Sequence, residues 1–164
     1  MLTTKKWRVL LRFTCRRRTR HFFVVNIGGP SMNFEVGQEL TSQTFLINRA
    51  KLVAYANASG DQNPIHQDEA FAKSVGLENV IAHGMFTMAL AGRYVSEIAG
   101  GSENVTNFSA RFTKPVVVPA GVDVELLVSG KVSAVEAGIV KMDITAICNE
   151  TKVLGMAKAS FKVS

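Results

Sequence analysis

From Val122 onward the chain alternates apolar and polar positions with a period of two. Val122, Val124, Leu126 and Val128 alternate with Asp123, Glu125, Leu127 and Ser129. Val140, Met142, Ile144 and Ala146 alternate with Lys141, Asp143, Thr145 and Ile147, and Ala157, Ala159, Phe161 and Val163 with Lys158, Ser160 and Lys162. Successive side chains of a strand point to opposite faces, so each run reads as a strand with one buried and one wet face. Glu136-Ala137-Gly138 and Asn149-Glu150-Thr151 supply the hairpin turns. Everything after Thr106 reads as antiparallel sheet.

Upstream the period changes. Gly84 to Ala99 reads as the main helix, with Met85, Phe86, Met88, Ala89, Leu90, Ala91, Val95, Ile98 and Ala99 covering nearly all its faces. A helix apolar all round is normally buried, not laid on a surface. Gly100-Gly101 stops it. Before it come a short strand over Gln43 to Asn48 and a helix over Arg49 to Ala58. Gly60 and Pro64 break the chain, and a second short helix spans Asp68 to Ser74, with Gly76 as its C′ glycine. One core-like helix followed by a long meander implies an α+β class, with a curved sheet wrapped around that helix.

The length of 164 residues fits one domain with a real core. Charge divides it unevenly. Residues 1–31 carry eight Lys or Arg and no acid, whereas residues 32–164 carry eleven basic and thirteen acidic residues, a formal net of −2. The expected organisation is a basic, disordered or non-native extension over 1–31 and a single domain over 32–164, with Met32 as a candidate true start. Organelle targeting by the Arg-rich stretch, or a membrane- or nucleic-acid-binding arm, are the alternatives, since its short apolar runs do not make a secretory signal. Nothing in the body asks for nucleic acid, and no run is long enough to span a membrane. Cys15 and Cys148 stand alone without CxxC spacing, which fits a reducing, cytoplasmic setting.

The candidate chemistry lies between the two helices. Asp61 and His66 are five residues apart, which on a regular helix separates them by about 140°. Gly60 and Pro64 argue for an irregular loop instead, in which carboxylate and imidazole can meet, hold one water and divide proton transfer between them. Asn63 offers an amide to hold the loop or the water. The plainer reading of the pair is a turn aspartate beside a satisfied histidine. Gly84, at a helix N-terminus, lets a carbonyl approach free N–H groups that favour a developing oxyanion; the plainer alternative is close packing of the helix start. His83 has no evident partner in the sequence. Met85, Phe86 and Met88 read as the lining of an acyl tunnel or as plain core. A metal held by Asp61, His66 and His83 lacks any recognised ligand spacing, so no metal is expected. Arg111 and Lys114 read as solvated surface or as phosphate contacts.

Ser59-Gly60-Asp61-Gln62-Asn63-Pro64-Ile65-His66, then Phe71-Ala72, Ala82-His83-Gly84-Met85 and Arg111-Phe112-Thr113-Lys114-Pro115-Val116, carry a family resemblance. Over about residues 34–164 the chain resembles the MaoC-like dehydratases, comprising (R)-specific enoyl-CoA hydratases and (3R)-hydroxyacyl-thioester dehydratases. Among these it looks like the catalytic-subunit type of mycobacterial 3-hydroxyacyl-acyl-carrier-protein dehydratase. The resemblance implies a hot-dog fold, an Asp61/His66 catalytic dyad and a Gly84 amide that polarises the thioester carbonyl. Ser59, Asn63, His83, Met85 and Met88 are then the expected substrate-side residues. The implied substrate is an acyl-CoA or acyl-carrier-protein thioester, handled without metal or redox cofactor.

An exposed long sheet and the core-like helix favour a homodimer, or a heterodimer with another hot-dog subunit. Two departures stand out: Gly92 occupies a central-helix position where some bacterial hydratases carry serine, and residues 1–31 have no family counterpart. The rival readings are a hot-dog thioesterase, for which Glu97 is the only acid on the main helix, and a subunit active only with its partner.

Overall fold

The structure is a computed structural model and describes residues 33–163. The basic stretch 1–31, Cys15 and Met32 lie outside the described residues. Strand β1 (Glu39–Ile47) leads into helix α1 (Arg49–Ser59), a 3₁₀ turn at Pro64–His66, helix α2 (Glu69–Ser74) and helix α3 (Gly84–Ile98). Strands β2 (Val105–Phe112), β3 (Val124–Glu136), β4 (Ile139–Cys148) and β5 (Thr151–Lys162) follow. The five strands make one antiparallel sheet in the order β1-β3-β4-β5-β2.

The period-two pattern sets the buried face as expected. Val124, Leu126 and Val128 of β3, Val140, Met142, Ile144 and Ala146 of β4, and Ala157, Ala159 and Phe161 of β5 form one buried cluster with Ala91, Tyr94 and Val95 of α3. Val122 departs from it: β3 begins two residues later, and Val122 is exposed. The β3–β4 turn places Ala137 and Gly138 at φ 48° and 77°, and the β4–β5 turn places Asn149 and Glu150 at 47° and 59°. Positive φ at both central residues suits the twist of a two-residue hairpin. At Gly130 of β3 a Cβ would press on the Met142 side chain and stand 3.1 Å from the Tyr94 hydroxyl, so the bare glycine lets α3 settle onto the sheet.

Two expectations need correction. Strand β1 starts at Glu39, not at Gln43; its added residues, Glu39 to Ser42, mix one apolar with three polar side chains on a sheet edge, where no alternation marks a strand. Helix α3 is not buried all round within the chain. Thr87, Ala91, Tyr94 and Val95 face the sheet, while Met85, Ala89, Arg93 and Glu97 are exposed. A single sheet can cover only one side of a helix, so the remaining apolar surface stays open.

Helices α1 and α2 form an excursion between β1 and α3, and Arg49 links several of its segments. Arg49 donates from Nε to the Val118 carbonyl (2.6 Å) and from Nη2 to Glu69 Oε2 (2.8 Å) and Asn79 Oδ1 (2.6 Å). The two partners of Glu69, Lys73 and Arg49, hold its carboxyl below the usual value of 4.5. A planar guanidinium with a fixed fork of donors suits three acceptors on three segments. Replacing Arg49 by Met should lower the unfolding free energy by roughly 1.5–3 kcal/mol, the range for hydrogen bonds to a charged group. Arg49→Lys should recover only part of the loss. Urea denaturation followed by circular dichroism measures both, and a change within error in Arg49→Met would show that the clasp carries no stability.

Candidate active site

Helix α1 ends at Gly60, whose φ of 79° turns the chain out of the helix while its N–H still donates to the Ala56 carbonyl at 2.9 Å. The polar residues that follow hold the loop by local bonds. The Ser59 hydroxyl donates to the Tyr55 carbonyl (2.8 Å) and accepts from the Asp61 N–H (3.3 Å). Asp61 Oδ1 accepts from the Asn63 N–H (3.3 Å), and Asn63 Oδ1 accepts from the Ile65 N–H (3.2 Å), capping the turn that Pro64 opens. Such short side-chain-to-backbone bonds are what Ser, Asp and Asn offer in place of helix. Ser59 and Asn63 thus shape the loop.

The turn delivers His66 to the interior. Its ring is buried, and Nδ1 lies 2.7 Å from the Ile81 carbonyl oxygen. A carbonyl only accepts, so Nδ1 carries a proton, and it is Nε2 that can offer a lone pair or carry a second proton. Asp61 is exposed, yet its carboxylate, a His66 ring nitrogen and a His83 ring nitrogen lie within 4.8 Å of one another. The irregular loop therefore does bring carboxylate and imidazole together.

His83 has a partner after all. It is buried, Nε2–H donates to the Asp61 carbonyl at 3.1 Å, and its ring stacks on His66 with centroids 3.8 Å apart and planes 27° apart. Tyr55 packs against it at 4.9 Å. Among the described residues nothing hydrogen-bonds to the buried Nδ1 of His83, which costs about 1–3 kcal/mol. Burial pushes His83 below its ordinary pKa of 6.5, against the opposing pull of the Asp61 carbonyl and carboxylate, so the ring is neutral at pH 7. In both stacked imidazoles one nitrogen is already taken up by a backbone carbonyl, His66 Nδ1 by that of Ile81 and His83 Nε2 by that of Asp61. This donor set suits proton transfer better than convergence on a metal ion.

Gly84 opens α3. The side chain of His83, its N-cap, makes no capping bond, so among the described residues no side chain caps the first N–H groups of the helix. A Cβ at Gly84 would stand 3.2–3.3 Å from the Phe112 ring, which leans over this position from the end of β2. His66, Ala82, Gly84, Thr87, Phe112 and Lys114 border a cavity of about 360 Å³. Met85 is exposed and Met88 half-buried, and neither borders it. Phe86 instead borders a second cavity of about 320 Å³ with Tyr55 and Leu90. The Ile81 carbonyl, Thr87 and the leaning Phe112 ring escaped the sequence reading. A backbone oxygen leaves no mark in sequence, and Phe112 stood in a quoted motif without any sign of its neighbour.

Residues 30–150 match the family described as "MaoC like domain". The chain belongs to this family. Among curated members of known name, 3-hydroxyacyl-thioester dehydratase X of Mycobacterium tuberculosis is 43% identical over 74 residues, covering 45% of this chain and 25% of that protein. The (R)-specific enoyl-CoA hydratase of Aeromonas caviae is 34% identical over 101 residues, covering 60% of this chain and 74% of that protein. A solved MaoC-like dehydratase superposes with a TM-score of 0.79 at 30% identity, over 94% of this chain and 52% of its own. The (R)-hydratase of A. caviae superposes with a TM-score of 0.70 at 25% identity, over 80% of this chain and 98% of its own. The antiparallel sheet wrapped on α3 is thus the hot-dog fold of the MaoC-like domain. The chain spans a quarter or less of the two mycobacterial relatives named dehydratase X and Y.

The neutral, buried His83 makes stability depend on pH. Its folded pKa lies below the unfolded value, so the unfolded chain binds the extra proton first as pH falls through about 6.5. Stability contributed at pH 7 should decline below that point, and His83→Phe should remove this part of the decline. Melting temperatures of both proteins between pH 8 and 5 test it; parallel curves would show that His83 titrates alike in both states.

Proposed function

We propose that this MaoC-like domain is a hydro-lyase, interconverting trans-2-enoyl thioesters and (3R)-3-hydroxyacyl thioesters. The observation that carries the reading is the meeting of the Asp61 carboxylate with His66, beside a cavity whose wall includes the free helix start at Gly84. The names of the dehydratase and hydratase relatives support the same chemistry.

In hydration, a water lies between Asp61 and the lone pair of His66 Nε2. One of the two groups takes a proton from the water as its oxygen bonds to Cβ. The electron pair of the Cα–Cβ double bond moves toward the thioester, and its carbonyl oxygen gains negative charge. The Gly84 N–H, at the positive end of α3, stabilises that charge. The proton now held by the Asp61/His66 pair is then delivered to Cα, which completes the addition and restores both groups. Dehydration runs through the same steps backwards. Water addition needs no change of oxidation state overall, so these residues suffice for the proton bookkeeping.

The thioesterase alternative wants an acid on α3 aimed at the thioester. Glu97 is exposed in the last turn, bonded to Arg93 (2.8 Å) and Gln43 (2.9 Å), which hold it ionised and away from Gly84. Lys114 borders the cavity and supplies a cation for the phosphates of a coenzyme A or carrier-protein arm. Met85, Phe112 and Met156 are exposed apolar side chains on α3, β2 and β5, and among the described residues β1 and β2 form the two edges of the sheet. These features support assembly with a second hot-dog subunit, identical or related. Among the described residues no helix is long and apolar enough to cross a membrane. A cytoplasmic setting is the reading adopted, with an organelle as the alternative; one relative is named as mitochondrial.

The full chain mixed with crotonyl-CoA should remove the enoyl absorbance, and Asp61→Asn should lower the rate by about 10²–10⁴, the usual contribution of a positioned acid or base. A folded Asp61→Asn protein with near-normal rate would sink the dyad. Release of free thiol without loss of the enoyl group would convert the reading to a thioesterase.

A further inference from the structure

His83 takes no part in the mechanism above and does not border the cavity, yet it touches each component of the site. Its Nε2–H holds the Asp61 carbonyl at 3.1 Å, and its ring lies flat on that of His66. Its own carbonyl accepts from the Thr87 N–H at 3.1 Å. The peptide unit joining residues 83 and 84 is planar and trans, so a carbonyl directed down the helix turns the Gly84 N–H outward from the helix start. One residue thereby fixes the loop that carries the carboxylate, the plane of the second imidazole and the orientation of the amide.

The unpaired Nδ1 sharpens the point. The ring is 1% exposed, and a phenyl group would fill nearly the same space against Tyr55 and His66 without leaving a buried nitrogen unbonded. What imidazole adds over phenyl here is the Nε2–H bond to the Asp61 carbonyl, 22 residues back along the chain. The orphaned nitrogen is the cost of that bond. The ring is also uncharged at pH 7, so a proton taken up by His66 during turnover does not face a second cation.

We propose that His83 is a positioning residue, whose stack on His66 and bond to the Asp61 carbonyl set the separation of the two proton-transfer groups and register both against the Gly84 amide. This rests on the hydration chemistry proposed above.

The experiment uses the full chain with crotonyl-CoA and three variants. His83→Phe keeps the stack and loses the N–H; His83→Gln keeps a donor and loses the stack; His83→Ala loses both. With melting temperature confirming a folded protein, kcat should fall roughly 10–100-fold in His83→Phe, the scale of a small misplacement of reacting groups. The loss should be larger in His83→Ala, with part of it restored in His83→Gln. KM should stay within about twofold, because the ring touches no substrate. A folded His83→Phe with unchanged kcat overturns the proposal. A rise in KM at constant kcat overturns it too, making His83 a binding residue.

Nitrogen NMR of the imidazole rings gives a readout that does not depend on turnover. His83 should show a neutral ring protonated at Nε2, and the His66 ring resonances should move in any variant that folds. An Nδ1-protonated His83, or His66 resonances unmoved by its substitution, would also defeat the proposal. Asp61→Asn separates the two levels. If it leaves the rate intact, the dyad fails; if it abolishes the rate while the His83 variants do not, only the positioning role fails.

Discussion

The backbone of Ile81 is the point on which the site depends. Its N–H donates to the Ile65 carbonyl at 3.2 Å, and its carbonyl accepts from His66 Nδ1 at 2.7 Å, so one residue grips both the backbone and the side chain of the turn at Pro64–His66. Its neighbours are held from the opposite side. The Ala82 N–H donates to the Val116 carbonyl and the Val118 N–H to the Val80 carbonyl, both at 2.8 Å, around an isolated bridge between Ile81 and Val117. A buried segment must satisfy its peptide groups somewhere. Here the bonds that do so also fix where the imidazole stands relative to the start of α3.

This arrangement lets loop residues perform work that calls for precision. Asp61, Asn63 and His66 belong to no long helix or strand, yet their geometry is determined at both ends. Locally, the αL turn at Gly60 and the Asn63 cap set the path of the chain. At longer range, the Arg49 clasp gathers α2, Asn79 and Val118 around the excursion that contains them. Burial of the histidines then follows from packing, with Val80 and Ala82 pointing into the core on either side of Ile81.

Much of the fold was legible because it is written in side-chain periodicity. The alternation in β3, β4 and β5 gave their buried face, and turn residues with positive φ marked both hairpins. What was not legible lacks such a period. Residues Glu39 to Ser42 carry a strand that is set by pairing with β3, not by their own pattern. The apolar circumference of α3 could not say which side the sheet covers. Within the site, the encounter of Asp61 with His66 was legible from the helix breakers Gly60 and Pro64, and Gly84 from its place at a helix start. The partner of His83 was hidden because it is a peptide oxygen, and Ser59 and Asn63 turned out to bond within their own loop.

The strand order has a consequence for how the chain reaches this state. Strands β3, β4 and β5 are joined by two-residue turns, so their pairing closes very short loops and costs little chain entropy. Pairing β1 with β3, or β2 with β5, closes loops that contain whole helices or strands. Such non-local contacts slow folding and come at the greatest entropic expense. The loop, the turn and the start of α3 all belong to the stretch between β1 and β2. The chemistry is thus carried by a stretch whose two flanking strands both take their places through long-range pairing, at opposite edges of a meander that needs none of it.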